Sequence, residues 1–172
     1  MKQPDWKPDC GPDTDVAAHF RQAMRLHVAG VCIVSVGRGE KVNGMVATAV
    51  TSFSLDPPSL LVCINQSASI ASQLVADGHF GVTLLAQHHA EIATTFSGKP
   101  SGRSRFDHGP WRFSQTAPPL LEDAAANLIC RLAATLSYAT HHALIGRVER
   151  VTARSEMPTL LYGNGAYRGA GN

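Results

Sequence analysis

From Leu128 to Tyr138 the chain alternates without a break, with Leu128, Cys130, Leu132, Ala134, Leu136 and Tyr138 on one parity and Ile129, Arg131, Ala133, Thr135 and Ser137 on the other. Successive side chains of an extended chain point to opposite faces, so a period of two held over this stretch predicts one long strand. Other extended runs surround it. VCIVSV, Val31 to Val36, is followed by the polar GRGE and a second run from Lys41 to about Ser54, which together predict a hairpin. Asp56, Pro57 and Pro58 stop that run, and Ser59 to Asn65, with LLVCI at its centre, reads as a buried strand. His79 to Leu85 and His142 to Thr152 are further strands, and Thr159 to Tyr162 with Ala166 to Arg168 make a short closing pair.

Helical signals are few. Val16, Phe20, Met24 and Val28 fall four apart, with Asp13 or Thr14 as N-cap and Gly30 as the stop, which predicts one amphipathic helix. Ser67 or Ser69 opens a short helix through Ala76, and another spans about His88 to Phe96. The stretch SGKPSGRSR, residues 97–105, is expected as a flexible, solvated loop carrying Lys99, Arg103 and Arg105. Residues 1–12 hold three prolines and no periodicity, which predicts a disordered tail ahead of one domain at 13–169. Many strands without repeated strand-helix-strand crossovers predict a mainly β fold, a closed or nearly closed β-barrel with peripheral helices.

Composition narrows the function. At 172 residues, with 44% hydrophobic and 16% charged, the chain is that of a globular domain. A net charge of +2 and no run of five Lys or Arg argue against nucleic acid as a partner. No stretch reaches the roughly 18 apolar residues of a membrane span, and MKQPDWKPDCGPD has no apolar core for a signal peptide, so no membrane association and a cytoplasmic location are expected. Cys32, Cys63 and Cys130 sit in apolar runs and Cys10 in the tail; all four are expected as free thiols, and CxxC is absent.

Several motifs fail on spacing. GNGAYRG is GxGxxxG, not GxGxxG, and no helix follows it, so it is not a dinucleotide fingerprint. The pairs His88-His89 and His141-His142 lack HExxH or a matched carboxylate, so no metal is expected; no GxSxG occurs. The informative stretch is MVATAVTSFSLDPP, Met45 to Pro58, followed by CINQSAS. Its small and hydroxylated side chains let a flat ring lie against the backbone, and Ser67 and Ser69 at a helix start suit a phosphate; an ordinary strand with a serine cap is the plain alternative.

FRQAMRLHVAGVCIV, NGMVATAVTSFSLDPPSLLVCINQSASI, FSG before a basic loop, RFDHGPW, HHALIGRV and LLYGNGAY, in this order over about residues 20–168, resemble the flavin reductase family. These are the small reductase components of two-component flavin monooxygenases, such as those serving phenol and 4-hydroxyphenylacetate hydroxylases. The resemblance implies a split β-barrel, a homodimer with flavin near the subunit interface, and hydride transfer from NADH or NADPH to FMN or FAD. It implies that Val46, Ala47, Thr48, Ala49, Val50, Ser52 and Phe53 line the isoalloxazine and ribityl chain, and that Ser67, Ala68 and Ser69 take the phosphate. Phe96 and Ser97 would contact the outer end of the cofactor, Tyr167 would close the site, and His142 would face the nicotinamide. Relatives carry Gly-Asp-His where this chain has Thr140, His141 and His142, so only the last position matches.

Hydride transfer between nicotinamide and flavin is chemistry the two cofactors already possess, which suits a sequence without an acid-base constellation. The leading expectation is an NAD(P)H:flavin oxidoreductase that supplies reduced flavin to a partner monooxygenase. The alternatives are a flavin-holding redox or sensor module, and a flavoenzyme acting on another substrate.

Overall fold

The computed structural model describes residues 15–98 and 102–170. The expected tail at 1–12, with Cys10, lies outside them, as do Asp13, Thr14 and Lys99. Helix α1 is Val16–Leu26, capped by Asp15, whose carboxylate accepts from the Ala18 N–H at 3.0 Å. The helix stops four residues short of Gly30 because the chain turns extended at His27, whose N–H bonds the Met24 carbonyl. None of the residues of α1 is buried.

The strands follow as β1 (Ala29–Gly30), β2 (Cys32–Val36), β3 (Asn43–Ala47), β4 (Val50–Leu55) and β5 (Pro58–Asn65). Helix α2 (Ala71–Asp77), β6 (His79–Leu84), helix α3 (Ala90–Ser97), β7 (Trp111–Arg112) and β8 (Leu120–Leu121) come next. The chain ends with β9 (Ala126–Tyr138), β10 (His141–Ala153), β11 (Leu160–Gly163) and β12 (Ala166–Gly169). The fold is mainly β, and the alternating stretch is the outer part of β9, paired with β10 along its length. Seven strands form one antiparallel sheet in the order β3-β2-β6-β9-β10-β5-β4.

The run expected as one strand from Lys41 to Ser54 is therefore two, broken at Thr48 and Ala49, and its halves occupy opposite edges of the sheet. Ala47 and Val50 are three residue steps apart, which can span no more than about 11 Å. The sheet must curl until its edges meet there. Among the described residues no ladder joins β3 to β4, so the sheet is not closed into the expected barrel, and only the chain through Thr48 and Ala49 links its two edges. One continuous stretch supplies both edges and cannot pair with itself at the bend.

Curling buries β2 on both faces. Cys32, Val34 and Val36 pack with Val62, Ile64, Leu74, Phe80 and Leu144, while Val31 and Ile33 join Leu85, Phe96, Phe106, Trp111 and Leu160 in a second cluster. Ser35, inside this run, donates to the Pro119 carbonyl at 2.8 Å. Cys32 and Cys130 are free and buried, and burial pushes both thiols up to about 12; Cys63 is free and half-buried.

Two local expectations are corrected. Helix α2 begins at Ala71, not at Ser67 or Ser69, because the Asn65 carboxamide captures Ser67 and folds the chain into turns through Ile70. The loop expected at 97–105 runs into a 3-10 turn, Gly102–Phe106, in which Arg105 is withdrawn from solvent and Arg103 is half-buried. Arg105 is buried, donating to the carbonyls of Gly44 and Gly98, while Arg103 stacks 3.9 Å from the Phe113 ring centre. The glycines of GNGAYRG build the β11–β12 hairpin, with Asn164 at φ 51° and Gly165 at φ 80°, the two positive φ values of a tight type I′ turn.

Gly146 on β10 lies where the β9–β10 register shifts, and a Cβ there would run into the buried Phe80 ring. Gly146→Ala is expected to lower stability by about 1–3 kcal/mol, the usual cost of overpacking, read as a drop in the urea midpoint at unchanged slope.

Candidate functional site

The break at Thr48 and Ala49 shapes the site. Both residues are exposed, and among the described residues their N–H groups meet no acceptor, while the Ala49 carbonyl accepts from the Cys63 N–H at 2.9 Å. The end of β3, the last residue of α3 and the β11–β12 hairpin enclose a recess of about 260 Å³ lined by Val46, Ala47, Thr48, Ser97, Tyr162 and Tyr167. Tyr162 and Tyr167 are directly opposed across the hairpin, with ring centres 5.2 Å apart. Ser97 Oγ donates to the Ala93 carbonyl at 2.8 Å and lies 3.4 Å from the Tyr167 hydroxyl.

Buried braces hold these walls. Gly44 on β3 lets the Phe96 and Phe106 rings close in, since a Cβ there would sit 2.7 Å from Phe96 Cε1. The Arg105 guanidinium ties the Gly44 carbonyl to Gly98 at the end of α3. Asn43 donates from Nδ2 to the Ser69 carbonyl at 3.2 Å and to Ser69 Oγ at 3.4 Å, and its Oδ1 accepts from the N–H groups of Gly44 and Gly102. The turn after β5 is thereby fixed to β3.

Of the residues expected in the site, Val46, Ala47, Thr48, Ser97 and Tyr167 come together, with Ala49 adjoining them. Ser67, Ala68 and Ser69 form the braced turn instead of a helix cap. Phe96 is only 2% exposed and packs edge-on against Phe106, 5.0 Å between centres, so its ring supports Ser97 and has no face free for a cofactor. Val50 and Ser52 line a separate apolar cavity of about 410 Å³ with Leu60, Val82, Leu128 and Leu160. Phe53 projects outward at the irregularity between Ser52 and Ser54. His142 lies outside the recess, opposite Ile64 on β5, with Nδ1 2.9 Å from Ser137 Oγ.

Sequence reasoning missed Tyr162 and Asn43. Counting outward from the Asn164-Gly165 turn pairs 162 with 167, so Tyr162 was recoverable. Nothing local marked Asn43, whose partners Ser69 and Gly102 are distant in sequence.

The sequence model of the Flavin reductase like domain matches residues 24–171. The FMN reductase (NADH) RutF of Agrobacterium fabrum is 37% identical over 149 residues, covering 87% of this chain and 86% of that protein. The reductase component of the FADH(2)-dependent resorcinol hydroxylase of Rhizobium sp. is 35% identical over 154 residues, covering 88% and 86%. The NADH:FAD oxidoreductase of Streptomyces globisporus, solved in complex with NAD and FAD fragments, superposes with a TM-score of 0.82 at 28% identity, covering 91% of this chain and 93% of that one.

A second cluster joins His88, His89 and Asp123, whose ligand-type atoms lie within 4.8 Å of one another. The geometry works against a metal at its buried member. His89 Nδ1 accepts from the Ala86 N–H at 3.1 Å, so the neutral ring carries its proton on Nε2, which faces Asp123 Oδ1 at 3.2 Å. Burial holds His89 below its ordinary 6.5, outweighing Asp123. Desolvation alone would raise the Asp123 carboxyl, but the neighbouring histidines and its own backbone amide bring it below 3.8. The unfolded chain therefore binds the His89 proton more readily, and stability is full above about pH 6.5 and falls as pH drops below it. A second loss follows below about 3.8, where Asp123 protonates in the unfolded chain. His89→Asn is expected to flatten the part of this loss that begins below about pH 6.5, in melting temperatures recorded against pH.

Proposed function

Because the chain belongs to the Flavin reductase like domain family, we propose that it is an NAD(P)H:flavin oxidoreductase that passes hydride from NADH or NADPH to FMN or FAD and supplies reduced flavin to a partner monooxygenase. The observation that carries this reading is the recess at the strand break, where small side chains, open backbone N–H groups and two tyrosines converge. The nicotinamide donates and the flavin ring accepts the hydride, so the chain needs to bring two flat rings together and exclude water.

Ala47 and Thr48 are small enough for a ring to approach the backbone, and the Thr48 and Ala49 N–H groups suit its polar edge. Tyr162 and Tyr167 form an apolar wall with hydroxyl tips. The turn at Ser67, Ala68 and Ser69 is assigned to the phosphate, with Asn43 holding it in place. The curled sheet corresponds in this reading to the split β-barrel of the family, residues 13–169 to one flavin reductase-like unit, and the location to the cytoplasm.

A homodimer belongs to the same reading. An isolated helix the length of α1 is marginal in water, yet no residue of α1 is buried and Leu26, which does not line the cleft beside the β11–β12 hairpin, is 77% exposed. Leu136 and Tyr138, flanking Ser137 opposite His142, are exposed as well. A second copy covering this hairpin end brings His142 to the interface, where it orients the nicotinamide from across the dimer.

Oxidation of NADH by the purified protein is expected to require added FMN or FAD. A flavin retained through purification with no such requirement would instead support the redox-module reading. Ser67→Asp with Ser69→Asp sets negative charge against the phosphate and is expected to weaken flavin binding about tenfold or more, read by fluorescence quenching, with the melting temperature nearly kept. His142→Ala is expected to raise the Michaelis constant for NADH or slow flavin reduction about tenfold, roughly 1.4 kcal/mol, with flavin binding kept and His141→Ala milder. A stable monomer in sedimentation that still reduces flavin would overturn the cross-dimer role.

A further inference from the structure

We propose that the cleft between α1 and the β11–β12 hairpin is the anion subsite for the diphosphate bridge of a dinucleotide, with Arg21 and Arg25 as its cations. The inference rests on the flavin reductase reading and names the part of the ligand that leaves the ring recess.

The cleft encloses about 520 Å³ between Phe20, Arg21, Met24, Arg25 and His27 on one side and the hairpin from Tyr162 to Gly165 on the other. Thr48 and Tyr162 line both this cleft and the ring recess, so the two are continuous. A ligand whose flat ring lies against Ala47 and Thr48 passes over Tyr162 directly into it.

Its charge is one-sided. Arg21 and Arg25 stand one helical turn apart on the same face of α1, no acidic residue lines the cleft, and among the described residues neither arginine has an ion-pair partner. Two guanidinium groups held at one face of a cleft match the paired oxygens of a diphosphate, and each can bind a phosphate through two parallel N–H donors.

The far wall is fixed in place. The Asn164 N–H donates to the Arg25 carbonyl at 2.7 Å, pinning the hairpin tip to the end of the helix. Arg25 Nη2 lies 3.3 Å from where a Cβ would stand at Gly165, so the guanidinium spreads over a turn that only glycine leaves open. Phe20 and Met24 add apolar surface to the same cleft, the kind of surface a sugar ring can lie on.

A diphosphate bridge occurs both in the nicotinamide donor and in FAD, and FMN has none. The test is the pair Arg21→Glu and Arg25→Glu in the full chain, both sites being exposed and unpaired in the described structure. With FMN as acceptor, the variant is expected to show a KM for NADH raised at least tenfold with kcat within twofold and FMN affinity unchanged, which assigns the subsite to the nicotinamide donor. A rise in KM for FAD but not for FMN, with NADH unaffected, assigns it to FAD. Calorimetric titration with ADP-ribose, which carries the diphosphate without either reactive ring, is expected to show binding to the wild type that the variant loses. An equal charge change elsewhere, Arg38→Glu with Lys41→Glu, is expected to leave all these values unchanged.

Unaltered KM for both dinucleotides together with ADP-ribose binding that is absent or identical in both proteins overturns the proposal. A wild type that oxidises no NADH with added flavin defeats the reductase reading instead. ADP-ribose binding then still decides the subsite, its loss in the variant supporting the proposal and its absence from the wild type refuting it.

Discussion

The chain must leave one edge of a seven-stranded sheet and enter the other through Thr48 and Ala49 alone. That short link forces the sheet to curl, and curling puts both faces of β2 in contact with apolar side chains. It also breaks the strand where no ladder can use its amides. Backbone N–H groups left open in a folded protein carry a cost unless water or a ligand meets them. Here the break at Thr48 borders a recess bounded by the ends of three other elements.

The recess owes its shape to buried polar braces more than to its lining. Asn43 connects β3 to the turn after β5 and to the 3-10 turn near Gly102, and Arg105 connects β3 to the end of α3. Each spends its donors on carbonyl or hydroxyl oxygens, which offsets the desolvation of a buried amide or guanidinium. Deeper in the fold Ser35 donates to the Pro119 carbonyl and Asn127 to the Leu121 carbonyl, while Asn127 Oδ1 accepts from the Thr83 hydroxyl. Apolar packing alone tolerates sliding between layers, whereas these directional contacts set the distance between β3, α3 and the turn after β5.

Surface chemistry divides the molecule. The outer parts of α1, β4 and the β9–β10 hairpin carry exposed apolar groups, with Leu55 at 87% and Tyr138 at 82%. Patches of this kind call for another surface. The cleft beside the recess is instead basic and fixed, which favours an anionic ligand. The polar cluster of His88, His89 and Asp123 stands apart from both, and its buried ring serves the fold through the Ala86 amide.

Strand content was legible in the sequence because alternation is a local property: Leu128 to Tyr138 and Val31 to Val36 fold as their patterns require. The small-residue stretch around Ala47 and Thr48 was legible for the same reason, and its order with the later motifs pointed to the family. What the local pattern could not show was that one extended run would serve two sheet edges, since the choice of partners for β3 and β4 depends on strands far along the chain. The burial of Phe96, the bracing by Arg105 and the position of His142 away from the recess were decided the same way. Periodicity and residue size act between neighbours and are written in the order of residues; burial and the geometry of a site arise from contacts between distant segments, and these exist only once the sheet has curled.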